Sequence, residues 1–310
     1  MRAIWKYFVD FHHEVKHPVG LYVWMTLFIT ILTFINYSVR MEKWMDRLKP
    51  AILPYVAHFI MFAFIYFVIV FLCYRYRAIP NVFKSRAFML KSFFMLLLLS
   101  VDVSFHFHRE VVKSIFEVKD RYFMYKVTSQ INSIFVMLIP LIIYYIRFEK
   151  TNDNFYGLKA SAKNISQYFP LILLMIPLIF AASFESSFQD YYPRFKESAQ
   201  FLDWSVQLRA TVFEIFYAVD FLFTELLFRG LMVLGFTAFL GPRAILPMVG
   251  LYVALHYGKP LGETIGSFFG GYILGVLAYQ SRNIWGGIIA HMGVALLMEL
   301  AAWWQKVYNS

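Results

Sequence analysis

The chain has 310 residues, 60% hydrophobic and 15% charged, with a formal net charge of +10 and a mean hydropathy of +0.58. Soluble domains average about 45–50% apolar and about 25% charged residues, so this composition excludes an ordinary soluble globule, a disordered chain and a disulfide scaffold. The lone cysteine, Cys73, forms no internal disulfide, and the basic residues lie in short loops between apolar runs, where they suit anionic lipid head groups; no nucleic-acid motif is visible.

The first nineteen residues carry both acids and bases, and the apolar run after them is long enough to stay in a membrane, so they do not read as a signal peptide. They include His13-Glu14-Val15-Lys16-His17, a His-Glu-x-x-His spelling. On one helix face two such histidines bind zinc and the glutamate serves as base. Pro18 follows at once and ends or kinks a helix, and no third ligand is evident nearby. The segment therefore reads first as an interfacial one.

Crossing about 30 Å of hydrocarbon takes about 20 apolar residues. Candidate spans are 20–39, 51–74, 88–105, 127–146, 168–184, 209–229, 243–257, 263–280 and 284–304. The expected fold class is therefore all-α, a polytopic transmembrane helix bundle with about eight or nine spans. Residues 107–126 and 148–167 mix aromatic and basic side chains and read as surface helices or solvated loops. Lysine and arginine are balanced across the membrane and give no firm orientation. The less basic 185–208 connection favours an outside position for itself and an inside one for the N-terminus.

Ionisable residues inside spans are costly and mark function. They are His58, Asp102, Glu214, Asp220, Glu225, Arg229, His256, His291 and Glu299. His58 and Asp102 are isolated and read as hydrogen-bonded groups that hold helices together. The others crowd into the last third. This divides the chain into 1–208, N-terminal helices of unknown role with interfacial segments, and 209–304, a core with the polar site.

Glu225 and Arg229 lie four apart and can neutralise each other on one helix face. Glu214 lies about three turns before Glu225 and points the same way, and Asp220 and Thr224 form a neighbouring stripe. His256 and His291 follow on later spans. Glu225, His256 and His291 could supply three zinc ligands, could activate water without metal, or could form a hydrogen-bonded core. Gly262, Gly266 and Gly270, and Ser267, Gly271 and Gly275, repeat at the four-residue spacing that lets helices pack closely.

The order TELLFRG (224–230), YVALH (252–256) and GGIIAHMGVA (286–295) resembles the CPBP family, the CAAX prenyl proteases and bacteriocin-processing enzymes also called Abi-type. That family carries Glu-Glu-x-x-x-Arg, Phe-x-x-x-His and His-x-x-x-Asn on successive transmembrane helices. The resemblance covers roughly residues 209–304. By position Glu225 matches the second glutamate, Arg229 the arginine, His256 and His291 the two histidines, and Tyr252 replaces the phenylalanine. Thr224 stands where the first glutamate belongs and Ala295 where the asparagine belongs.

The resemblance implies an intramembrane endopeptidase acting on a lipidated or membrane-associated peptide, in a multi-pass protein of a bacterial cytoplasmic membrane. Glu225 would be base or base support, His256 would orient the water, His291 would stabilise the oxyanion, and zinc is a possible cofactor. With Thr224 and Ala295 at two polar positions, either Glu225 or Asp220 takes over the base role, or the chain is a catalytically inactive relative acting as a partner-binding scaffold.

Overall fold

The computed structural model describes residues 2–149, 154–159 and 165–308. Among them the chain is helical and has no strand beyond an isolated bridge between Phe201 and Asp203. By length and apolarity seven helical stretches can cross a membrane: Val19–Val39, Leu53–Arg75, Arg86–Ile115, Val118–Glu149, Val206–Leu255, Leu261–Ser281 and Trp285–Tyr308. Phe169–Ala182 is apolar but shorter. The expected spans 209–229 and 243–257 lie largely within one helical stretch, Val206–Leu255, that is interrupted by a turn at Gly235–Phe236 and by Gly241 at φ +55. The count is roughly the eight or nine expected. Large side chains such as Phe34, Phe64, Phe93, Phe135, Leu173 and Phe269 are exposed along these helices, which in water would be prohibitive and in lipid is required. The chain is an integral, multi-pass membrane protein.

The chain divides into two compact units, each gathered from three segments. The first unit takes 1–104, 151–167 and 226–287. Its helices are α1 (Arg2–Glu14), α2 (Val19–Val39), α3 (Met41–Asp46), α4 (Leu53–Arg75) and α5 (Arg86–Ser104), and later α12 (Thr237–Leu240), α13 (Ile245–Leu255) and α14 (Leu261–Ser281). Helix α13 is its centre: every residue from Ile245 to Ala254 is buried, and it packs against α4 and α14. Gly250 sits where a Cβ would come 2.3 Å from Ile69 of α4. Gly271 and Gly275 likewise bring α14 against Tyr252 and Met248. Gly262, Gly266 and Gly270 differ from the expectation: nothing lies within 4 Å of a Cβ built on any of them, so only one of the two small-residue stripes is a packed face.

His58, on α4, is buried, with Nδ1 2.9 Å from the Pro54 carbonyl and 3.1 Å from the Ser104 hydroxyl. It is a satisfied core histidine, as its isolation suggested. Residues 155–157 correct an expectation. They form a short 3-10 turn, not a surface helix, and bury Tyr156 and Gly157 against the segment 226–234. Tyr156 has φ +47, and a Cβ on Gly230 would come 2.9 Å from its carbonyl oxygen. Only glycine admits that approach. Lys159 is exposed; Lys163 lies outside the described residues.

The second unit takes 105–150, 168–225 and 288–310. It contains α6 (Phe107–Ile115), α7 (Val118–Ser133), α8 (Ile139–Tyr144), α9 (Phe169–Ala182), α10 (Ser186–Tyr191), α11 (Val206–Glu225) and most of α15 (Trp285–Tyr308). Residues 107–126 are thus helical, broken at Phe116 and Glu117. Helix α7 packs on α11 around Phe123, Val127, Phe201 and Phe213.

Candidate active site

In the second unit two polar contacts join α11 to α15. Glu225, the last residue of α11, has no exposed surface, and its Oε1 accepts a hydrogen bond from His291 Nδ1 at 2.9 Å. The Phe221 ring, one turn earlier on α11, lies 4.4 Å from the imidazole. A carboxylate bonded to Nδ1 fixes the tautomer and orientation of the ring. Eleven residues back along α11, the Glu214 carboxyl lies beside that of Glu299 on α15. Glu299 also accepts from the backbone N–H of Arg194, 2.8 Å from each carboxylate oxygen. The two helices therefore run antiparallel, with Glu225 facing His291 and Glu214 facing Glu299. Gly293 keeps α15 close to α9, since a Cβ there would come 2.7 Å from Ile172.

The two departures from the expected motifs are both plain in this unit. The Thr224 hydroxyl is directed to the Asp220 carbonyl of its own helix, at 3.4 Å. Asp220 is half-buried on α11. Ala295 is buried and offers no polar group.

The first unit carries the other half of the residue set. After Glu225 the chain widens into a π-helix, Leu226–Leu234, whose register is visible in the bond from Gly235 N–H to the Gly230 carbonyl at 2.9 Å. Wide turns of this kind recur at functional sites. Arg229 lies in it, fully buried, with its guanidinium 4.3 Å from the centre of the Tyr252 ring. A tyrosine in place of the expected phenylalanine keeps an aromatic face for the cation. The Tyr252 ring is in turn edge-on to His256, 4.6 Å away.

His256 caps the C-terminus of α13. Its Nδ1 donates to the Tyr252 carbonyl at 2.7 Å. Glu263 Oε1, from the first turn of α14, lies 3.9 Å from that Nε2 and 2.7 Å from Lys259 Nζ. The His256 carbonyl accepts from the Thr264 hydroxyl at 2.8 Å, and the Tyr37 hydroxyl joins Thr264 and the Lys259 carbonyl at 2.7 and 2.6 Å.

Sequence reasoning passed over Glu263. Lysine and glutamate four apart at a helix start read as a surface ion pair, and only the fold turns Glu263 toward His256. The nearness of Glu214 to Glu299 was equally hidden, because the two are 85 positions apart in the chain.

The zinc spelling near the N-terminus does not assemble. Helix α1 ends at Glu14, so His13 and His17 share no helix face, and Glu14 accepts from Tyr279 at 2.8 Å and Gln280 at 3.1 Å. His17 instead meets the Tyr22 hydroxyl at 2.7 Å and stacks on His12. Among the described residues no three His, Cys, Asp or Glu side chains are grouped to hold a metal ion.

No curated protein and no solved structure matches the chain. Residues 206–297, the stretch holding Glu225, Arg229, His256 and His291, match the Rce1-like family model, described as type II CAAX prenyl endopeptidase Rce1-like.

Proposed function

We propose that the chain is a membrane-embedded endopeptidase that hydrolyses a peptide bond of a lipidated or membrane-associated substrate, in a bacterial cytoplasmic membrane. The observation that carries this reading is the bond between the fully buried Glu225 and His291. A carboxylate with no exposure is tolerated only with a partner, and an imidazole held by a carboxylate is the recurrent device for moving a proton beside a peptide bond.

In this reading Glu225 supports His291 and orients its ring. By their places in the motif order, His291 is assigned to the developing oxyanion and His256 to orienting the attacking water. Arg229 steadies Tyr252, and through it the His256 ring. The second reading is a catalytically silent scaffold that binds a membrane partner. Thr224 bonded to its own helix and Ala295 in apolar packing favour it.

The test is cleavage of a quenched fluorescent peptide ending in a farnesylated CAAX sequence, by full-length protein in phospholipid vesicles, with the product identified by mass spectrometry. Wild type should cleave it, and Glu225→Ala should cleave on the order of 10³-fold more slowly, the scale of losing an acid–base partner. Equal rates in the two proteins, or no cleavage of farnesylated, geranylgeranylated and unprenylated peptides by wild type, would return the chain to the scaffold reading.

A further inference from the structure

The first unit holds a polar cluster that the endopeptidase reading does not use. We propose that His12, His17 and Tyr22, backed by Arg243, seat the head group of an anionic phospholipid, and that one chain of this lipid lies in the apolar groove that leads away from them. The proposal holds whether or not the protein cleaves peptides.

The groove runs between the start of α2 and helices α13 and α14, and its volume is about 490 Å³, within the range of pockets that hold small ligands. His12, His17 and Tyr22 line it where α2 begins; Met25, Val249 and Phe268 line it about one turn farther into the three helices. All six belong to the first unit. Polar groups at the entry and apolar ones deeper match a lipid lying in its own bilayer, head at the water boundary and chain inward. Phe269 and Ile273, also on the groove wall, share a face of α14 with Gly266 and Gly270, where no described atom lies within 4 Å of a built Cβ. That side of the groove is left open to lipid.

The charge at the polar end selects the head. Arg243 is 4% exposed. It donates to the Tyr22 hydroxyl at 2.8 Å and to the Lys16 carbonyl, both neutral acceptors. Among the described residues it pairs with no carboxylate, and no acid lines the groove. A sheltered guanidinium facing neutral acceptors is a positive charge that an anion would balance. Besides burial, the charges that act on His17 are those of His12 and Arg243, and both push its pKa down. Basic pockets between transmembrane helices are the usual seats of anionic head groups.

His17 adds an independent observation. Its Nδ1 meets the Tyr22 hydroxyl at 2.7 Å, whereas Nε2 is buried without a hydrogen-bond partner among the described residues. Buried polar atoms are nearly always bonded. The His12 ring, exposed and stacked on His17 at 4.7 Å, is the side chain that can turn aside and admit a phosphate oxygen beside Nε2.

The experiment titrates the full-length protein in detergent with phosphatidylglycerol and with phosphatidylcholine of the same chains, and counts bound lipid by native mass spectrometry. Wild type should bind phosphatidylglycerol about tenfold more tightly, the scale that one or two cations near a head group give. Arg243→Gln should remove that preference. Ile273→Trp fills the groove and should weaken phosphatidylglycerol about tenfold, the worth of about two methylene groups kept out of it. Glycerol 3-phosphate at the same concentration should leave the lipid in place. If Arg243→Gln does not fold, Ile273→Trp decides, with weaker binding counting for the proposal and unchanged binding against it. Equal binding of the two lipids by wild type overturns the proposal. So does a preference that survives Arg243→Gln, binding that Ile273→Trp leaves unchanged, or displacement by glycerol 3-phosphate, which would mark a site for a free anion.

Discussion

Each of the two units places one glutamate beside one histidine, and the two couples differ in closeness. Glu225 and His291 touch at 2.9 Å, and the carboxylate is sealed. His256 and Glu263 stand 3.9 Å apart, and Lys259 shares the acid. A sealed pair can orient a ring and carry a charge but has no room for a third body. A spaced pair whose acid is shared is worth less to stability. The contrast separates a couple on which folding depends from one on which it depends little.

Removing each histidine tests this most sharply. His291→Ala strands a buried carboxylate and should lower unfolding stability in detergent by about 3–5 kcal/mol. His256→Ala removes a ring whose acid keeps Lys259, and should cost about 1–2 kcal/mol. Equal losses by chemical denaturation would erase the distinction. Next in size is the packing of the first unit. Gly230→Ala pushes a methyl group toward the Tyr156 carbonyl and should cost about 1–3 kcal/mol, measured the same way, while leaving the Glu225–His291 couple of the other unit in place. An unchanged midpoint would mean that the turn at 155–157 yields freely.

The smallest effect concerns the N-terminal histidines, which resemble a zinc site and form none. Burial, then the neighbouring His12 and Arg243, push the His17 pKa below its usual value of 6.5. A folded-state pKa below the unfolded one means that the unfolded chain takes up the proton first, so stability falls as pH drops below about 6.5. His17→Gln should flatten that slope in a thermal-midpoint series from pH 7.5 to 5. A slope as steep as that of wild type would place the titrating group elsewhere.

Much of this was legible in the sequence. Runs of apolar residues located the spans because the bilayer imposes a length and excludes unpaired backbone. The buried charges marked the candidate site because lipid tolerates them only for a reason. Glu225, Arg229, His256 and His291 were identified by type and order, but their partners were not. Glu225 met His291, 66 positions on, and Arg229 met the Tyr252 face. Periodicity along one helix says which residues share a face, not what faces them. The stretch from Val206 to Leu255, read as two spans, is interrupted in the fold by a turn at Gly235–Phe236 and by Gly241 at φ +55. In the fold Gly230 lies within a widened turn and serves contact with Tyr156. The surface reading of Tyr156 failed for the converse reason, since tertiary packing buried an aromatic that its polar neighbours had marked as interfacial.

Lys91 carries a consequence for how the protein is made. Its ammonium is buried in α5 and donates to the Gly235 carbonyl at 2.5 Å, 144 positions later in the chain. A nascent α5 enters the bilayer long before that acceptor has been synthesised, and until then its charge must stay at the water boundary. The α5 helix can settle only when 226–235 arrives, so the segment bearing Arg229 is also the latch that completes biogenesis of its unit. Truncated or stalled chains ending before Gly235 would carry an unsettled lysine within reach of membrane quality control, and damage to 226–235 would surface as failed insertion.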